Sequence, residues 1–368
     1  MYEEQVARIL HTEGIEYVVS LPCDRTKDLC MVLEDEFRYI TISREEDGVG
    51  VCSGISLMNA RCILQMQSSG LGNSLNALLT LPALYGLPLP ILASWRGYYQ
   101  EKIAAQIPFN EKIPELLDLY GIAYTRILTP EDIPQIKDVI IDAYEKHRPH
   151  VALISPLVWE GDAPAKRCQF KPRERRTNLT YTGEFKKPEM KRADAINTIA
   201  ELLQNEFVVS NIGVPSKELH TARDRDRNFY MLGSYTQATP IGLGISLVTS
   251  DQVIVLDGDG SLLGTAILPV VAATNPKNLT IVCLDNGVYG STGDQCSPAY
   301  QTIDLELIAK ANGIIHTIKV HSAEELKAAW SSLPEGPRFI HVVIEPGNST
   351  APNISLSPHD IRNRFSAG

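Results

Sequence analysis

The chain has 368 residues, of which 44% are hydrophobic and 21% charged, a composition typical of a globular protein long enough for two domains. Its formal net charge of −10 gives no electrostatic support for binding nucleic acid or an anionic membrane surface. No apolar run approaches the roughly 18 residues that cross a bilayer, and no secretion signal is visible, so we expect a cytoplasmic protein.

The cysteines and histidines do not follow the spacing of a metal site. The seven cysteines are scattered and never form CxxC, which favours free thiols in a reducing compartment over disulfides or a zinc site. The eight histidines form no HxH or HExxH motif, which argues against a histidine-based metal centre.

Short apolar segments alternate with helical patterns along both halves of the chain. In the first half, helices are predicted at 2–13 and 114–120, and strands at 17–21, 39–43, 62–66, 89–94 and 151–155. In the second half, a helix is predicted at 323–331 and strands at 207–211, 228–232, 253–258, 279–286 and 339–345. This pattern indicates an α/β fold with two mainly parallel sheets flanked by helices, which bind ligands beyond the carboxyl ends of their strands.

A basic segment separates the two halves. Residues 163–192 hold ten lysines and arginines against three glutamates, with three prolines and little apolar periodicity. Such a run could bind an acidic partner, but on an acidic protein it is more typical of an exposed linker. We therefore predict domains at 1–162 and 193–368, joined by this linker.

One scheme occurs in both halves. Residues 68–97 and 257–287 each run from a strand end through Gly-x-Gly, a leucine-rich helix and a proline to another apolar strand. Chance similarity between two α/β units is an alternative to a true internal repeat. Because the polar positions differ, we expect the two segments to serve different tasks.

The segment "GDGSLLGTAILPVVAATNPKNLTIVCLDNG" (258–287) carries the most specific chemistry. It lacks the spacing of a dinucleotide-binding G-x-G-x-x-G motif and the lysine of a phosphate-binding Walker loop. A strand that turns into a helix suits a phosphate, but Asp259 would repel one. A divalent cation between them removes this conflict, with ligands from Asp259, Asn286 and the carbonyl of Val288.

These residues resemble the thiamine-diphosphate-binding motif of the thiamine-dependent 2-oxo acid decarboxylases, in which GDG precedes a strand-ending asparagine. The resemblance implies that Mg²⁺ holds the diphosphate of thiamine diphosphate at Asp259, Asn286 and Val288. It also implies a glutamate that hydrogen-bonds N1′ of the aminopyrimidine, nine residues before a helix glycine. Glu45 fits because Gly54 follows at that distance, and Glu46 is the rival. Glu45 is thus the predicted catalytic residue.

The resemblance further implies a pyrimidine-binding first domain and a diphosphate-binding second domain. The sites would form between opposite chains of a homodimer or homotetramer. The predicted cofactor-binding residues are Gly213, Gly233, Ser234, Tyr235, Thr236, Gly258, Asp259, Gly260, Ser261, Asn286, Val288 and Tyr289. Tyr235 departs from the family, whose members commonly have Leu or Met at this position under the cofactor.

Nearly the whole chain resembles the sulfopyruvate and phosphonopyruvate decarboxylases within this family. The stretches "MQSSGLGNSLNAL" (66–78), "ASWRG" (93–97) and "DNGVYGSTGDQ" (285–295) carry this likeness. It implies conversion of 3-sulfopyruvate to sulfoacetaldehyde and CO₂, a step toward coenzyme M, by a chain in which α and β halves are fused. Phosphonopyruvate is the alternative substrate, and a non-catalytic cofactor-binding protein is an alternative of another class.

An anionic tail on the 2-oxo acid needs cationic or N–H donors. The predicted contacts are Arg25, Lys27, Ser69, Arg96, Ser291 and Thr292. Arg25 and Lys27 could instead face solvent, and Arg96 could pair with a carboxylate across the interface between chains.

Overall fold

The computed structural model describes residues 1–161, 183–332 and 334–368. The chain divides into two compact units, and the boundary between them falls outside these residues. Among the described residues, no helix is both long and apolar enough to cross a membrane.

The first unit alternates strands with helices. Its strands are β1 Tyr17–Ser20, β2 Arg38–Thr41, β3 Cys62–Gln67, β4 Leu89–Ser94, β5 Ala123–Ile127 and β6 Pro149–Ile154. Its helices are α1 Tyr2–Thr12, α2 Lys27–Glu36, α3 Glu45–Leu57, α4 Ser69–Thr80, α5 Pro82–Tyr85, α6 Ile107–Asn110, α7 Ile113–Tyr120 and α8 Ile136–Glu145. The strands form one parallel sheet in the order β2-β1-β3-β4-β6-β5.

The second unit follows the same plan. Its strands are β7 Phe207–Ser210, β8 Asn228–Tyr230, β9 Val253–Gly258, β10 Leu279–Asp285, β11 Val288–Tyr289, β12 Gln295–Cys296, β13 His316–Val320 and β14 Arg338–Val343. Its helices are α9 Arg192–Leu202, α10 Val214–Ala222, α11 Ala238–Val248, α12 Asp259–Leu263, α13 Ile267–Thr274, α14 Leu305–Ala311, α15 Ala323–Ser332 and α16 Pro358–Ala367. Six strands form a parallel sheet in the order β13-β14-β10-β9-β7-β8, and β11 pairs with β12 in an antiparallel ribbon.

The two sheets have the same topology. Read from β8, the second sheet runs β8-β7-β9-β10-β14-β13, which matches β2-β1-β3-β4-β6-β5 strand for strand in chain order. The predicted likeness of segments 68–97 and 257–287 therefore extends to the whole of both sheets. In each unit the Gly-x-Gly turn follows the third strand of this common order, at the carboxyl edge where ligands bind in such folds.

The predicted α/β class with two parallel sheets is confirmed. The central strands are buried throughout, as in β10, because helices cover both faces of a parallel sheet. Helix α11 lies so close to β9 that a Cβ atom on Gly242 would come within 2.1 Å of Val255 Cγ2. In the first unit, α1, α2 and α8 bury one apolar cluster against the sheet, including Leu10, Leu33 and Val139.

The expectation of an exposed linker fails at the end of the basic segment. Met190 and Arg192 are buried, and the Arg192 guanidinium forms an ion pair of 2.7 Å with the buried Glu218. Lys191 forms a parallel bridge with Glu345, so this part of the chain is attached to the second unit. Composition predicted exposure because lysine and arginine are usually found at the surface. The sequence does not show that Arg192 has a buried carboxylate partner. Residues 163–182 lie outside the described residues, and the domain bounds at 162 and 193 remain a prediction.

Candidate active site

Two neighbouring strands of the second unit end side by side at the predicted metal-binding motif. Strands β9 and β10 pair in parallel, with Gly258 opposite Leu284. Asp259 therefore begins α12 beyond one strand, and Asn286 follows the end of the other. These two residues are only 3% and 6% exposed. The fold thus gathers two buried oxygen donors at one sheet edge.

The Asp259 carboxylate lies where its charge is disfavoured. Its pKa is raised to about 6, chiefly by burial and also by the nearby Asp285 carboxylate, while a hydrogen bond from the Ser297 hydroxyl acts in the opposite direction. The imidazole of His341 pairs with Asp285 and Asp304 and not with Asp259. Among the described residues, Asp259 has no cationic partner. A buried carboxylate without a counter-charge is the arrangement that a bound cation would stabilise.

The donor set fits Mg²⁺ better than a softer metal. One carboxylate, one amide oxygen and one backbone carbonyl are hard ligands, and Mg²⁺ commonly fills its remaining positions with phosphate oxygens and water. No group of three or more His, Cys, Asp or Glu side chains in the described part of the chain could hold a metal. The protein thus offers a partial coordination sphere, which a diphosphate would complete.

The turn after β10 is held by its own side chains. Asp285 Oδ1 accepts the Gly287 N–H at 2.9 Å, and Asn286 Oδ1 accepts the Val288 N–H at 3.1 Å. Gly287 has φ of +67°, in the left-handed region that glycine adopts without steric cost. The carboxamide of Asn286 keeps a second lone pair on its oxygen for a further ligand.

The predicted cofactor residues Gly260, Tyr289 and Tyr235 lie together. A Cβ atom on Gly260 would come within 2.5 Å of the Tyr289 ring, so only glycine fits under this ring. Tyr235 Oη donates to the Gly260 carbonyl at 2.5 Å, and burial raises the pKa of Tyr235 to about 12. Tyr235 is nevertheless 44% exposed. Its ring therefore lies at the surface beside the glycine turn, attached through its hydroxyl.

The residues beside Tyr235 have unusual backbone angles. Ser234 and Thr236 have φ of 61° and 78°, which non-glycine residues adopt at a cost and which often occur at functional sites. Both are buried, and the Thr236 methyl lies 2.8 Å from where a Cβ atom on Gly264 would stand. Gly233 precedes them, partly buried. This loop thus packs against α12 through the side chains of Tyr235 and Thr236.

A second loop lies beside the position expected for the diphosphate. Gly213 has φ of +86° and directly precedes α10. Ser291 Oγ is 3.6 Å from where a Cβ atom on Gly213 would stand, so the two predicted contacts are neighbours. Ser291 and Thr292 are exposed, whereas Ser261 in α12 is buried. Sequence proximity alone could not indicate that segments 78 residues apart meet here.

In the first unit the structure separates the two candidate glutamates. Glu45 is the first residue of α3, and its Oε2 accepts a hydrogen bond of 3.1 Å from Asn73 Nδ2. A Cβ atom on Gly70 would lie 2.5 Å from Glu45 Cγ, so α4 approaches it closely. Glu46 is buried instead and pairs with Arg44 at 2.8 Å. These contacts favour Glu45 as the glutamate that can meet a cofactor.

The predicted tail-binding residues of the first unit differ in availability. The buried Arg96 guanidinium is 2.6 Å from Glu101 and 2.7 Å from Asp24, so its charge is already balanced. Arg25 lies 3.7 Å from Glu101 and 3.9 Å from Asp24 and is partly exposed. Lys27 is exposed. The carboxylates that pair with Arg96 thus belong to its own unit, and not to another chain across an interface as the alternative had it.

Ser69 belongs to a different network of neutral polar groups. Its hydroxyl donates to Gln106 Oε1 at 2.9 Å and accepts from Gln67 Nε2 at 2.8 Å. Asn110 Nδ2 also donates to it at 3.0 Å. This network lies at the carboxyl end of β3, in the position that corresponds to the GDG turn of the second unit.

Sequence reasoning missed the residues that support the site. Asn73, Ser297, Asp304 and His341 hold predicted residues or their neighbours but belong to no motif. Asn73 alone carried a usable signal, because it lies in the "SGLGN" run next to Ser69. The other contacts join residues 38 and 56 positions apart and needed the fold.

Comparisons with known proteins agree with this geometry. Residues 2–118 match the family "Thiamine pyrophosphate enzyme, N-terminal TPP binding domain", and residues 212–342 match "Thiamine pyrophosphate enzyme, C-terminal TPP binding domain". The benzoylformate decarboxylase structure from Polynucleobacter necessarius has a TM-score of 0.73 at 13% identity, covering 95% of this chain and 99% of that chain. At this identity the likeness shows the fold alone.

Relatives with higher identity cover the full length. A sulfopyruvate decarboxylase from Methanosarcina acetivorans is 45% identical, over 99% of this chain and 96% of that protein. A phosphonopyruvate decarboxylase from Streptomyces hygroscopicus is 31% identical, over 96% and 90%. The α and β subunits of sulfopyruvate decarboxylase from Methanococcus maripaludis each match part of the chain, at 37% identity over 43% of it and at 41% identity over 48% of it.

These matches cover both units and agree with the carboxyl-edge site in the second. The chain belongs to the thiamine-diphosphate-dependent enzymes and is a carboxy-lyase whose substrate is a small 2-oxo acid.

Proposed function

We propose that the protein decarboxylates 3-sulfopyruvate to sulfoacetaldehyde and CO₂, with thiamine diphosphate and Mg²⁺, as a step in coenzyme M biosynthesis. The observation that carries this proposal is the 45% identity to a sulfopyruvate decarboxylase over 99% of the chain, against 31% to a phosphonopyruvate decarboxylase. Non-oxidative loss of CO₂ needs an electron sink beside the carboxylate, and thiamine diphosphate supplies one when bound.

The second unit would hold the metal and the diphosphate. Asp259, Asn286 and the carbonyl of Val288 would bind Mg²⁺, because the first two are buried at one sheet edge and the turn after β10 is rigid. The backbone around Gly258, Gly260 and Ser261 would donate N–H groups to phosphate oxygens. The loops at Gly213 and at 233–236 would enclose the same group.

The first unit would act on the aminopyrimidine. Glu45 would hydrogen-bond N1′ and hold the proton that shifts the ring toward its reactive tautomer. The Asn73 amide fixes one oxygen of this carboxylate at 3.1 Å and leaves the other for the cofactor. Since Glu45 and Asp259 lie in different units, we propose that the complete site forms between chains of a homodimer or homotetramer.

The sulfonate tail would be bound by groups whose charge is not already balanced. Arg25 has only long contacts with carboxylates, and Lys27 is exposed, so these two are the stronger candidates. Ser69, Ser291 and Thr292 would add hydroxyl donors. Arg96 would act indirectly, because Glu101 and Asp24 already occupy its guanidinium.

A side-by-side assay tests the substrate. The purified protein with thiamine diphosphate and Mg²⁺ is given sulfopyruvate or phosphonopyruvate, and CO₂ and aldehyde are measured. We expect sulfopyruvate to have the higher kcat/KM, with sulfoacetaldehyde as product. The control is the same protein after chelation of the metal. A preference for phosphonopyruvate would replace the proposed substrate but leave the metal site and Glu45 in place.

A further inference from the structure

A row of chemically unusual side chains crosses the second sheet. In the strand register Lys319 pairs with His341, His341 with Cys283, and Cys283 with Asp257. Paired residues of neighbouring parallel strands project from the same face, so these four side chains form one line across β13, β14, β10 and β9. His341 lies in this line with no exposed surface.

The imidazole of His341 lies between two carboxylates. Its Nε2 is 2.8 Å from Asp285 Oδ2, and its Nδ1 is 3.5 Å from Asp304 Oδ1. Asp304 is fixed in turn, because it caps the N-terminus of α14 and pairs with Lys319 at 2.5 Å. The Phe185 ring covers the imidazole edge-on, with ring centroids 6.0 Å apart. A buried histidine with these neighbours has one stable orientation.

Asp285 connects this histidine to the proposed metal site. One carboxylate oxygen, Oδ2, faces His341, and the other, Oδ1, accepts the N–H of Gly287. Gly287 lies between Asn286 and Val288, the two proposed ligands that follow β10. The orientation of the Asp285 carboxylate therefore sets the conformation of the turn that presents both oxygens.

We propose that His341 is a positioning residue for the cation: it holds Asp285, which holds the 286–288 turn in a metal-binding conformation. The inference rests on the proposed Mg²⁺ site and deepens it. His341 itself touches neither metal nor substrate. Groups that orient metal ligands in this way commonly change metal affinity by about 10- to 100-fold when replaced.

The test measures Mg²⁺ affinity directly, by titrating MgCl₂ calorimetrically into protein saturated with thiamine diphosphate. For His341→Leu we expect the Mg²⁺ Kd to rise about tenfold, the lower end of that range, because His341 acts through Asp285. The decarboxylation kcat at saturating Mg²⁺ should stay within about twofold, since only ground-state metal binding is weakened. His341→Gln, whose amide can still donate to Asp285, should recover most of the affinity.

His321→Leu is the matched control. This histidine is also buried in the second unit, but it faces Glu325 and accepts from the Lys186 N–H, away from the 286–288 turn. Its replacement should leave the Mg²⁺ Kd unchanged. If Leu at 341 prevents folding, His341→Gln and Asp304→Asn replace it, and Asp304→Asn should raise the Kd by a smaller factor.

The outcomes separate this inference from the proposed function. The positioning role alone would be overturned if the unchanged protein binds Mg²⁺ tightly and folded His341→Leu binds it with the same Kd. If the leucine variant does not fold, an unchanged Kd in folded Asp304→Asn would overturn it in the same way. Absence of Mg²⁺ binding by the unchanged protein would overturn the metal site and this inference with it. If His321→Leu loses as much Mg²⁺ affinity as His341→Leu, the loss comes from general destabilisation of the second unit, and the proposal is also overturned.

Discussion

The two units share one strand order, yet each has a buried charge beyond a central strand and only one of these charges is paired within the described part of the chain. Beyond the fourth strand of the first sheet, Arg96 is buried and balanced by Asp24 and Glu101 from its own unit. Beyond the third strand of the second sheet, Asp259 is buried and has no cationic partner among the described residues. A common scaffold therefore gives one edge that is electrostatically complete and one that needs an external cation.

The difference shows how function can be located within duplicated architecture. A buried charge with its partner needs no further ligand, whereas a buried charge without one lowers stability and often marks a functional site. The proposed metal site lies on the unbalanced edge. The following variants change the balance at each edge in turn.

Replacing the unbalanced charge should have the largest effect. Asp259→Asn keeps the shape but removes the anionic ligand, so we expect decarboxylase activity to fall more than about 100-fold, beyond the range seen when a supporting residue is lost. Mg²⁺-dependent binding of thiamine diphosphate, measured by calorimetry, should fall with it. Asp251→Asn, which alters a surface carboxylate paired with Arg227, is the control and should change neither quantity. Unchanged cofactor affinity in Asp259→Asn would refute its role as a ligand.

Replacing the proposed catalytic carboxylate of the first unit should have the next largest effect. Glu45→Gln keeps a hydrogen-bonding side chain but cannot take up a proton, so kcat should fall by about 10²- to 10⁴-fold, the usual contribution of a general acid or base. Affinity for thiamine diphosphate should change little, because the diphosphate is held by the other unit. Glu46→Gln, which loses only the pair with Arg44, should retain nearly full kcat. The assignment fails if the two variants show the reverse order.

Breaking the balanced edge should lower stability more than chemistry. Arg96→Met leaves Glu101 buried without its partner, and the loss of one member of a buried pair costs about 3 kcal/mol or more in the free energy of unfolding. Urea unfolding measures this change. Arg25→Met, whose contacts with the same carboxylates are long and partly exposed, should cost under about 1 kcal/mol. Equal losses would show that Arg96 is not the centre of the network.

The pH dependence of stability should give the smallest effect. The hydrogen bond from Arg96 lowers the pKa of Glu101 to about 2 from its ordinary value of 4.5. A carboxyl whose pKa is lower in the folded state contributes stability above its unfolded pKa and loses it as the pH falls through the folded value. The free energy of unfolding should therefore decline between pH 4.5 and 2, and Glu101→Gln should flatten this decline. An unchanged slope in denaturant titrations would contradict the assignment.

The sequence predicted the centre of each sheet better than its edges. All ten predicted strands exist, and their ends differ from the prediction by at most two residues, because buried parallel strands have continuous apolar sequences. Besides the two-residue strands β11 and β12 of the ribbon, the prediction missed the edge strands β5 and β13, most of whose residues are only half-buried. Their polar residues removed the apolar signal on which the prediction depended.

The site was predicted to the extent that its chemistry is local. Asp259 and Asn286 follow neighbouring strands and are linked by a recognisable spacing, so the sequence could place them at one edge. Spacing also favoured Glu45 over Glu46. The contact between His341 and Asp285 depends on the register of β14 against β10, which no local pattern specifies. The pairing of the Arg96 guanidinium with two carboxylates could not be predicted either. Asp24 lies 72 residues away in the sequence, and only the fold brings it next to Arg96 and Glu101.

The burial of Arg192 limits where the chain can be divided into two separately expressed polypeptides. Related enzymes occur as separate α and β subunits, so this chain could be expressed as two polypeptides. A second polypeptide that starts at residue 193 would lose the guanidinium that pairs with Glu218 and the backbone bond from Glu345 N–H to Met190. One that starts before residue 183 keeps both. A division of the chain that preserves both contacts therefore has to fall upstream of Met190, inside the basic segment and not at its end.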